Sequence, residues 1–435
     1  MSALAIWMNG FYVGEWQRAG RLPAVLRYDD VWVKSTAGRP LSLSLPFTST
    51  EAQISGDVVT HYFENLLPDN PTILSKMAAR FRATSTDAFS LLEKIGRDAA
   101  GAVQLLPVGL EPSNVFQVDA RPLSEAQVAD YLRRTLRTGS DALFESEFRF
   151  SLAGAQEKTA LLFHEGQWCL PENATPTTHI IKLPLGLVGN HRYDLSHSVE
   201  NEWLCMHLLK ELGLPVANVE MALFEDQKVL VVERFDRRWN DKGWWMRIPH
   251  EDILQAHGLP SHLKYESDGG PGIESIMRLL ESSSHSQADQ KTFFKSLLVF
   301  WLMAAIDGHA KNFSLEIGPR GAFRLAPLYD VLSAWPWEGK GAQQLHFRDM
   351  KMAMALRTKN THYHLFTIYR RHWLEIGTKY LGEALTEQLL EDVPTQLKKS
   401  LDRLGQRLPN DFPVALFERV CHGIDRQIVR LKSNK

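Results

Sequence analysis

Apolar positions along this chain change rhythm several times, and each change marks a different kind of element. At the start, Leu4-Ala5-Ile6-Trp7-Met8 and Phe11-Tyr12-Val13-Gly14 flank Asn9-Gly10. A two-residue Asn-Gly step between apolar stretches is a strong local signal for a β-hairpin. From 57 to 67 the spacing of Val58, Tyr62, Phe63 and Leu66 becomes helical until Pro68-Asp69-Asn70-Pro71 interrupts it, and a second helix is expected over 85–95. These elements predict an N-terminal α/β unit over 1–140.

A polar stretch, Arg137-Thr138-Gly139-Ser140-Asp141, then precedes β-like segments at 160–163, 179–183 and 228–235. Between the last two, 198–212 reads as one helix closed by Gly213 and Pro215. We therefore place a second unit at 141–245. Beyond Trp245 helical spacing dominates, over 274–280, 290–306, 363–380, 385–408 and 414–431, so 246–435 is expected to be a mainly α-helical lobe. A Gly-, Pro- and Ser-rich stretch at 257–272 reads as a long loop, a class that often carries function. The longest apolar run, Leu297 to Ile306, is about half the roughly 20 residues a membrane crossing needs, which makes it a buried core helix.

Composition narrows the classes of function. With 435 residues and 44% apolar content the chain can fill two or three cores. Lys plus Arg number 49 against 51 Asp plus Glu, a net charge of -2, which argues against general attraction to nucleic acid or membranes and leaves room only for a local basic patch. Cys169, Cys205 and Cys421 are too dispersed for a metal site or disulfide framework, and Met1-Ser2-Ala3-Leu4 opens no secretory signal. A cytoplasmic setting is expected.

The chemistry sits in the helical lobe. In Asp307-Gly308-His309-Ala310-Lys311-Asn312 a carboxylate lies five residues before an amide, directly after the buried helix, the spacing of a phosphotransferase catalytic loop. Such a loop lets the Asp face an acceptor hydroxyl while the Asn reaches a metal, and hard oxygen donors suit Mg²⁺. Asp330, in Pro327-Leu328-Tyr329-Asp330-Val331 after a hairpin at 313–317 and 322–325, stands where a second metal ligand belongs. A lone loop Asp more often caps a turn or a helix; the order and context of the two favour the catalytic reading. His309 or Lys311 is a candidate to neutralise transferring phosphate charge. Upstream, Lys182 ends the apolar strand of His179-Ile180-Ile181-Lys182, with Glu202, in preference to Glu200, as its carboxylate partner. Val231-Val232-Glu233-Arg234-Phe235-Asp236-Arg237 is either a nucleotide hinge or an ordinary strand end. Ser151-Leu152-Ala153-Gly154-Ala155-Gln156-Glu157-Lys158-Thr159 has one Gly before a strand and matches neither standard phosphate-loop pattern.

Together these motifs, with Leu66-Leu67-Pro68-Asp69-Asn70 and Lys264-Tyr265-Glu266-Ser267-Asp268-Gly269-Gly270-Pro271, closely resemble the HipA family, serine/threonine kinase toxins of HipA–HipB toxin–antitoxin pairs. The resemblance spans nearly the whole chain and implies an α+β, bilobal protein-kinase-like fold with an extra N-terminal α/β unit. It implies ATP and Mg²⁺ as cofactors, Asp307 and His309 at the catalytic centre, and Asn312 with Asp330 as metal ligands. Nucleotide contacts would come from Ala153, Gly154, Ala155, Gln156, Glu157 and Lys158 of a phosphate loop, from Lys182, from the backbone of Glu233, Arg234 and Phe235, and from His309, Lys311, Asn312, Tyr329 and Asp330. Ser151 would be autophosphorylated and so silence the kinase. The implied partners are a HipB-like helix-turn-helix antitoxin, operator DNA reached mainly through it, with Arg370 and Arg371 as candidate helpers, and a protein substrate of the translation machinery. Competing readings are a small-molecule kinase of the aminoglycoside type, which has no use for the Ser151 motif, and a non-catalytic corepressor scaffold, which has no use for the metal and acceptor residues.

Overall fold

The structure, a computed structural model, describes residues 2–18, 20, 22–47, 53–136, 158–188 and 193–433. Ser151 and residues 153–157, to which the autophosphorylation site and most of the phosphate loop were assigned, lie outside the described residues.

The Asn-Gly step does close a hairpin. Asn9 (φ 49) and Gly10 (φ 81) both adopt the left-handed conformation that such a turn requires, and Ser2–Met8 pairs with Phe11–Arg18. These two strands sit inside a five-stranded antiparallel sheet in the order Gln53–Ser55, Val25–Tyr28, Phe11–Arg18, Ser2–Met8, Val103–Pro107. Asp57–Glu64 and Ala88–Ile95 pack with it around a core where Trp16 stacks on Phe63 at 3.9 Å between ring centres. The helix expected over 57–67 stops earlier, at Glu64 with its cap at Asn65, and the segment 68–71 instead begins the next one. The Asn70 side chain accepts from the backbone N–H groups of Thr72 and Ile73, and Pro71 occupies the first position of the helix Pro71–Phe81.

A six-stranded antiparallel sheet follows, in the order Val219–Phe224, Gln227–Glu233, His179–Lys182, Lys158–His164, Gln167–Pro171, Ala120–Pro122. Helix Glu125–Leu136 lays Val128, Ala129 and Leu132 against Leu161, Leu170 and Ile181 of this sheet. The first boundary therefore falls before residue 120 instead of at 140. A polar run marks a change of composition, whereas a unit is defined by which core its apolar stripe enters.

The helical lobe is built on Ser286–Met303, whose last eight residues are all buried. Ile273–Glu281, Arg370–Leu381, Glu383–Gly405 and Val414–Lys432 share its core, and so does Ser198–Glu211, whose apolar residues surround it on all sides, as expected for a fully enclosed helix. The helix expected over 363–380 begins only at Arg370, because Thr361–His364 pairs with Lys351–Arg357 as a hairpin. The expected loop at 257–272 holds two short turns, Ser261–Leu263 and Glu266–Asp268. The whole is an α+β fold. Among the described residues no helix is long and apolar enough to cross a membrane.

A buried ionic cluster joins the N-terminal unit to the strand end at 234–237. Asp98 Oδ1 accepts from Arg237 (2.9 Å) and Arg247 (3.1 Å), while Asp236 accepts from Arg234 through Nε (2.9 Å) and Nη2 (2.7 Å) and from Arg237 (2.9 Å). The Gly101 N–H also donates to Asp236 (2.8 Å), and other guanidinium hydrogens reach the carbonyls of Ala99, Gly101 and Ala174 and the Thr177 hydroxyl, while the buried Arg247 Nε has no partner among the described residues. Three buried cations against two buried carboxylates are tolerable only with such carbonyl support.

Candidate active site

One cavity gathers the residues that sequence reasoning had placed far apart. Lys158, Lys182, Glu233, Phe235, Asp307, His309, Lys311, Asn312, Tyr329 and Asp330 all line it, together with Asn65 and Asp69 of the N-terminal unit.

Its upper wall is the strand His179–Lys182, which delivers the Lys182 ammonium to two carboxylates, Glu202 at 2.7 Å and Asp330 at 2.6 Å. Glu200, the rejected alternative, pairs instead with Lys228 at 3.0 Å. Burial opposes the Lys182 charge, but the two carboxylates outweigh it and raise its pKa. Burial likewise pushes Asp330 up, yet Lys182, Lys158 and their hydrogen bonds bring it down to about 2. Burial dominates at Glu202, raising it to about 7 against the pull of Lys182. Helix Ser198–Glu211 holds both ends of this arrangement: Glu202 meets the lysine, and the Asn201 amide exchanges two hydrogen bonds with the Ser333 backbone, three residues beyond Asp330. Asp330 itself sits at φ 61, a left-handed conformation that Asp tolerates at a cost of about 1 kcal/mol.

The lower wall is the loop after Ser286–Met303. A Cβ on Gly308 would lie 2.8 Å from the Phe300 ring, so the chain turns here only because this residue has none. Asn312 Nδ2 donates to the Asp307 carbonyl at 2.7 Å, which closes the loop and directs its amide oxygen away from that bond. The Asp307 carboxylate is 64% exposed, and its Oδ1 accepts from the Tyr265 hydroxyl at 2.5 Å.

Several assigned roles change. Burial lowers the pKa of His309, leaving it neutral at physiological pH, with Nε2 4.0 Å from Asp307 Oδ1. The Lys311 ammonium is buried against Asn65 Oδ1 (2.8 Å), Asp69 (3.3 Å) and Asp252 (3.6 Å). Lys311 is thus paired within the protein, while Lys158, Lys182 and Lys264 also line the cavity. At the strand end, the Glu233 N–H is taken by the Asn218 carbonyl and the Arg234 N–H by the Thr178 carbonyl, each at 2.9 Å, and the Arg234 side chain belongs to the ionic cluster. Phe235 also lines the cavity, its ring stacked on Tyr329 at 5.7 Å between ring centres. Arg370 is spent on Glu387 and Glu391, and Arg371 lies over the Tyr369 ring at 5.4 Å. Asp98, Asp69, Asn65, Lys264 and Tyr265 had no assigned roles, although the motifs at 66–70 and 264–271 contain Asp69, Lys264 and Tyr265.

Residues 4–106 match the HipA N-terminal domain, and residues 150–405 match the HipA-like C-terminal domain. The chain belongs to the HipA family. The putative kinase Y4mE of Sinorhizobium fredii is 34% identical over 362 residues, covering 81% of this chain and 80% of its own. The serine/threonine-protein kinase toxin HipA of Shewanella oneidensis is 30% identical over 328 residues, covering 72% of this chain and 70% of its own. The HipA fold itself is seen in the solved complex of HipA, HipB and operator DNA from Shewanella oneidensis MR-1, which matches with a TM-score of 0.76 over 98% of this chain and 96% of that one, at 24% identity.

Proposed function

We propose that this HipA-family chain is an ATP-dependent protein serine/threonine kinase acting as the toxin of a toxin–antitoxin pair. The observation that carries the reading is the convergence, in one cavity, of the Lys182–Glu202–Asp330 triad with Asp307 and Asn312. Lys182 and Lys158 bind the phosphates of ATP, the Phe235 N–H and ring receive the base, and Asp307 accepts the proton of the attacking hydroxyl. The amide oxygen of Asn312 and the ionised carboxylate of Asp330 fit Mg²⁺, which accepts few protein ligands beside phosphate and water. Bound there, Mg²⁺ would neutralise charge on the phosphates. The acidic shift of Asp330 keeps that ligand ionised at any physiological pH.

The finer parts of the proposal rest on the family. They are self-silencing by phosphorylation of Ser151, partnership with a HipB-like antitoxin on operator DNA, a substrate in the translation machinery, and a cytoplasmic location. A phosphoserine adds a charge of about -1.5 to -2 and competes with ATP for the same anion-binding loop. Ser151→Asp is therefore expected to lose ATP affinity in a calorimetric titration.

Intact-mass measurement before and after Mg-ATP, on the native chain and on Asp307→Asn, tests the core of the proposal. A gain of one phosphate in the native chain alone supports it. Gain in both, or in neither, removes it, and ³²P transfer to aminoglycosides instead of protein moves the chain to the small-molecule kinases.

A further inference from the structure

The stretch at 257–272 touches the catalytic carboxylate directly. The Tyr265 hydroxyl donates to Asp307 Oδ1 at 2.5 Å, and this is the only hydrogen bond that the carboxylate receives from the described residues. The Tyr265 ring stands edge-on to His309, 5.1 Å between ring centres. Its backbone is held on both sides. Lys264 accepts from the Ala310 N–H through its carbonyl (3.1 Å) and places its ammonium 3.1 Å from Asp69 of the N-terminal unit. Glu266 accepts from the Ala355 N–H (2.6 Å) and from Arg357 Nε (2.5 Å). Asp69 also pairs with Lys311, so one carboxylate from the N-terminal unit braces both the Tyr265 turn and the catalytic loop.

Resting on the kinase reading above, we propose that Tyr265 is a positioning residue of the acceptor site, orienting Asp307 for proton acceptance and itself held in place by the N-terminal unit through Lys264 and Asp69. Among the described residues, this carboxylate, 64% exposed, has no other hydrogen bond to restrain its rotation. With Oδ1 taken by the phenol, Oδ2 is the oxygen presented to an acceptor hydroxyl. Burial and the adjacent Asp307 raise the phenol's pKa, so it remains a donor across the working pH range. The N-terminal unit thereby contributes to the geometry of catalysis as well as to the wall of the cavity.

The test uses the full chain with Mg-ATP and dephosphorylated casein as a generic serine/threonine acceptor, comparing native protein, Tyr265→Phe, Lys264→Met and the double variant. One hydrogen bond to a charged group corresponds to a loss of about 10- to 100-fold in kcat. Tyr265→Phe is expected to show that loss with an unchanged KM for ATP and an unchanged melting midpoint, a split that a merely structural role would not give. Lys264→Met is expected to fall in the same direction by less, and the double variant to be no worse than Tyr265→Phe, because both act through one bond. Native-like or faster turnover by Tyr265→Phe overturns the proposal and makes the phenol idle or a plug. Additive losses in the double variant overturn the part assigned to the N-terminal unit; should Lys264→Met fail to fold, Tyr265→Phe decides alone. A native chain that transfers no phosphate to casein or to itself removes the kinase reading, and this inference with it.

Discussion

Replacing Asp98 by Asn tests whether the ionic cluster fastens the N-terminal unit to the strand end at 234–237. The substitution keeps the size of the side chain and removes its charge, leaving Arg234, Arg237 and Arg247 against Asp236 alone. Burial acts to raise the Asp98 pKa, but Arg237, Arg234 and Arg247 outweigh it and lower it from 3.8 to about 2. With each tenfold change in proton affinity equal to about 1.4 kcal/mol, this charge contributes about 2 kcal/mol. The folded value is the lower one, so the contribution is present above about pH 4 and is lost as the pH falls through about 2. The introduced amide would also point its NH₂ group at a guanidinium, and breaking a buried pair from one side typically costs more than the linkage term alone. The expected total is about 3 kcal/mol. Urea unfolding of the two proteins at pH 7, followed by tryptophan fluorescence, should show this as a lower midpoint for D98N. A difference of less than about 0.5 kcal/mol would refute the reasoning and mean that the carbonyls of Ala99, Gly101 and Ala174 suffice to hold the three cations.

Three further outcomes are expected. Lys182→Met should abolish measurable ATP binding in calorimetry and lower stability, because Glu202 is left buried without its cation; native-like ATP affinity would exclude Lys182 from the phosphate site. Burial pushes the Lys158 pKa down to about 8, so ATP should weaken as the pH rises above about 8 and its binding at pH 8.5 should take up a proton, seen as a heat that depends on the buffer's ionisation enthalpy and absent in Lys158→Met. Gly423→Ala should cost about 2 kcal/mol in thermal unfolding, since its Cβ would lie 2.3 Å from the buried Trp335 ring, and an unchanged melting point would show that the ring can move aside.

Much of this protein is determined locally and was legible without coordinates. Asn9-Gly10 specifies its hairpin because few other dipeptides tolerate two left-handed residues in succession. The helices expected over 198–212 and 290–306 are found at 198–211 and 286–303, the second cut short by the left-handed cap at Ala304, and the Asp307 to Asn312 loop was legible from its spacing. Helix ends and unit boundaries were less legible. Asn70-Pro71 begins a helix where an isolated Pro suggests an end, and Glu125–Leu136 takes its place from a sheet of which every strand but Ala120–Pro122 lies after residue 157. Only the tertiary structure decided which charges are spent. Lys311 and Arg370 look in sequence like cations awaiting a phosphate, yet each finds its carboxylates within the fold, whereas Tyr265, which carries no charge at all, meets the Asp307 carboxylate. Sequence specifies which groups are present; Coulomb and hydrogen-bond energies act over a few ångströms, and those distances exist only once 69, 264 and 307 have been folded together.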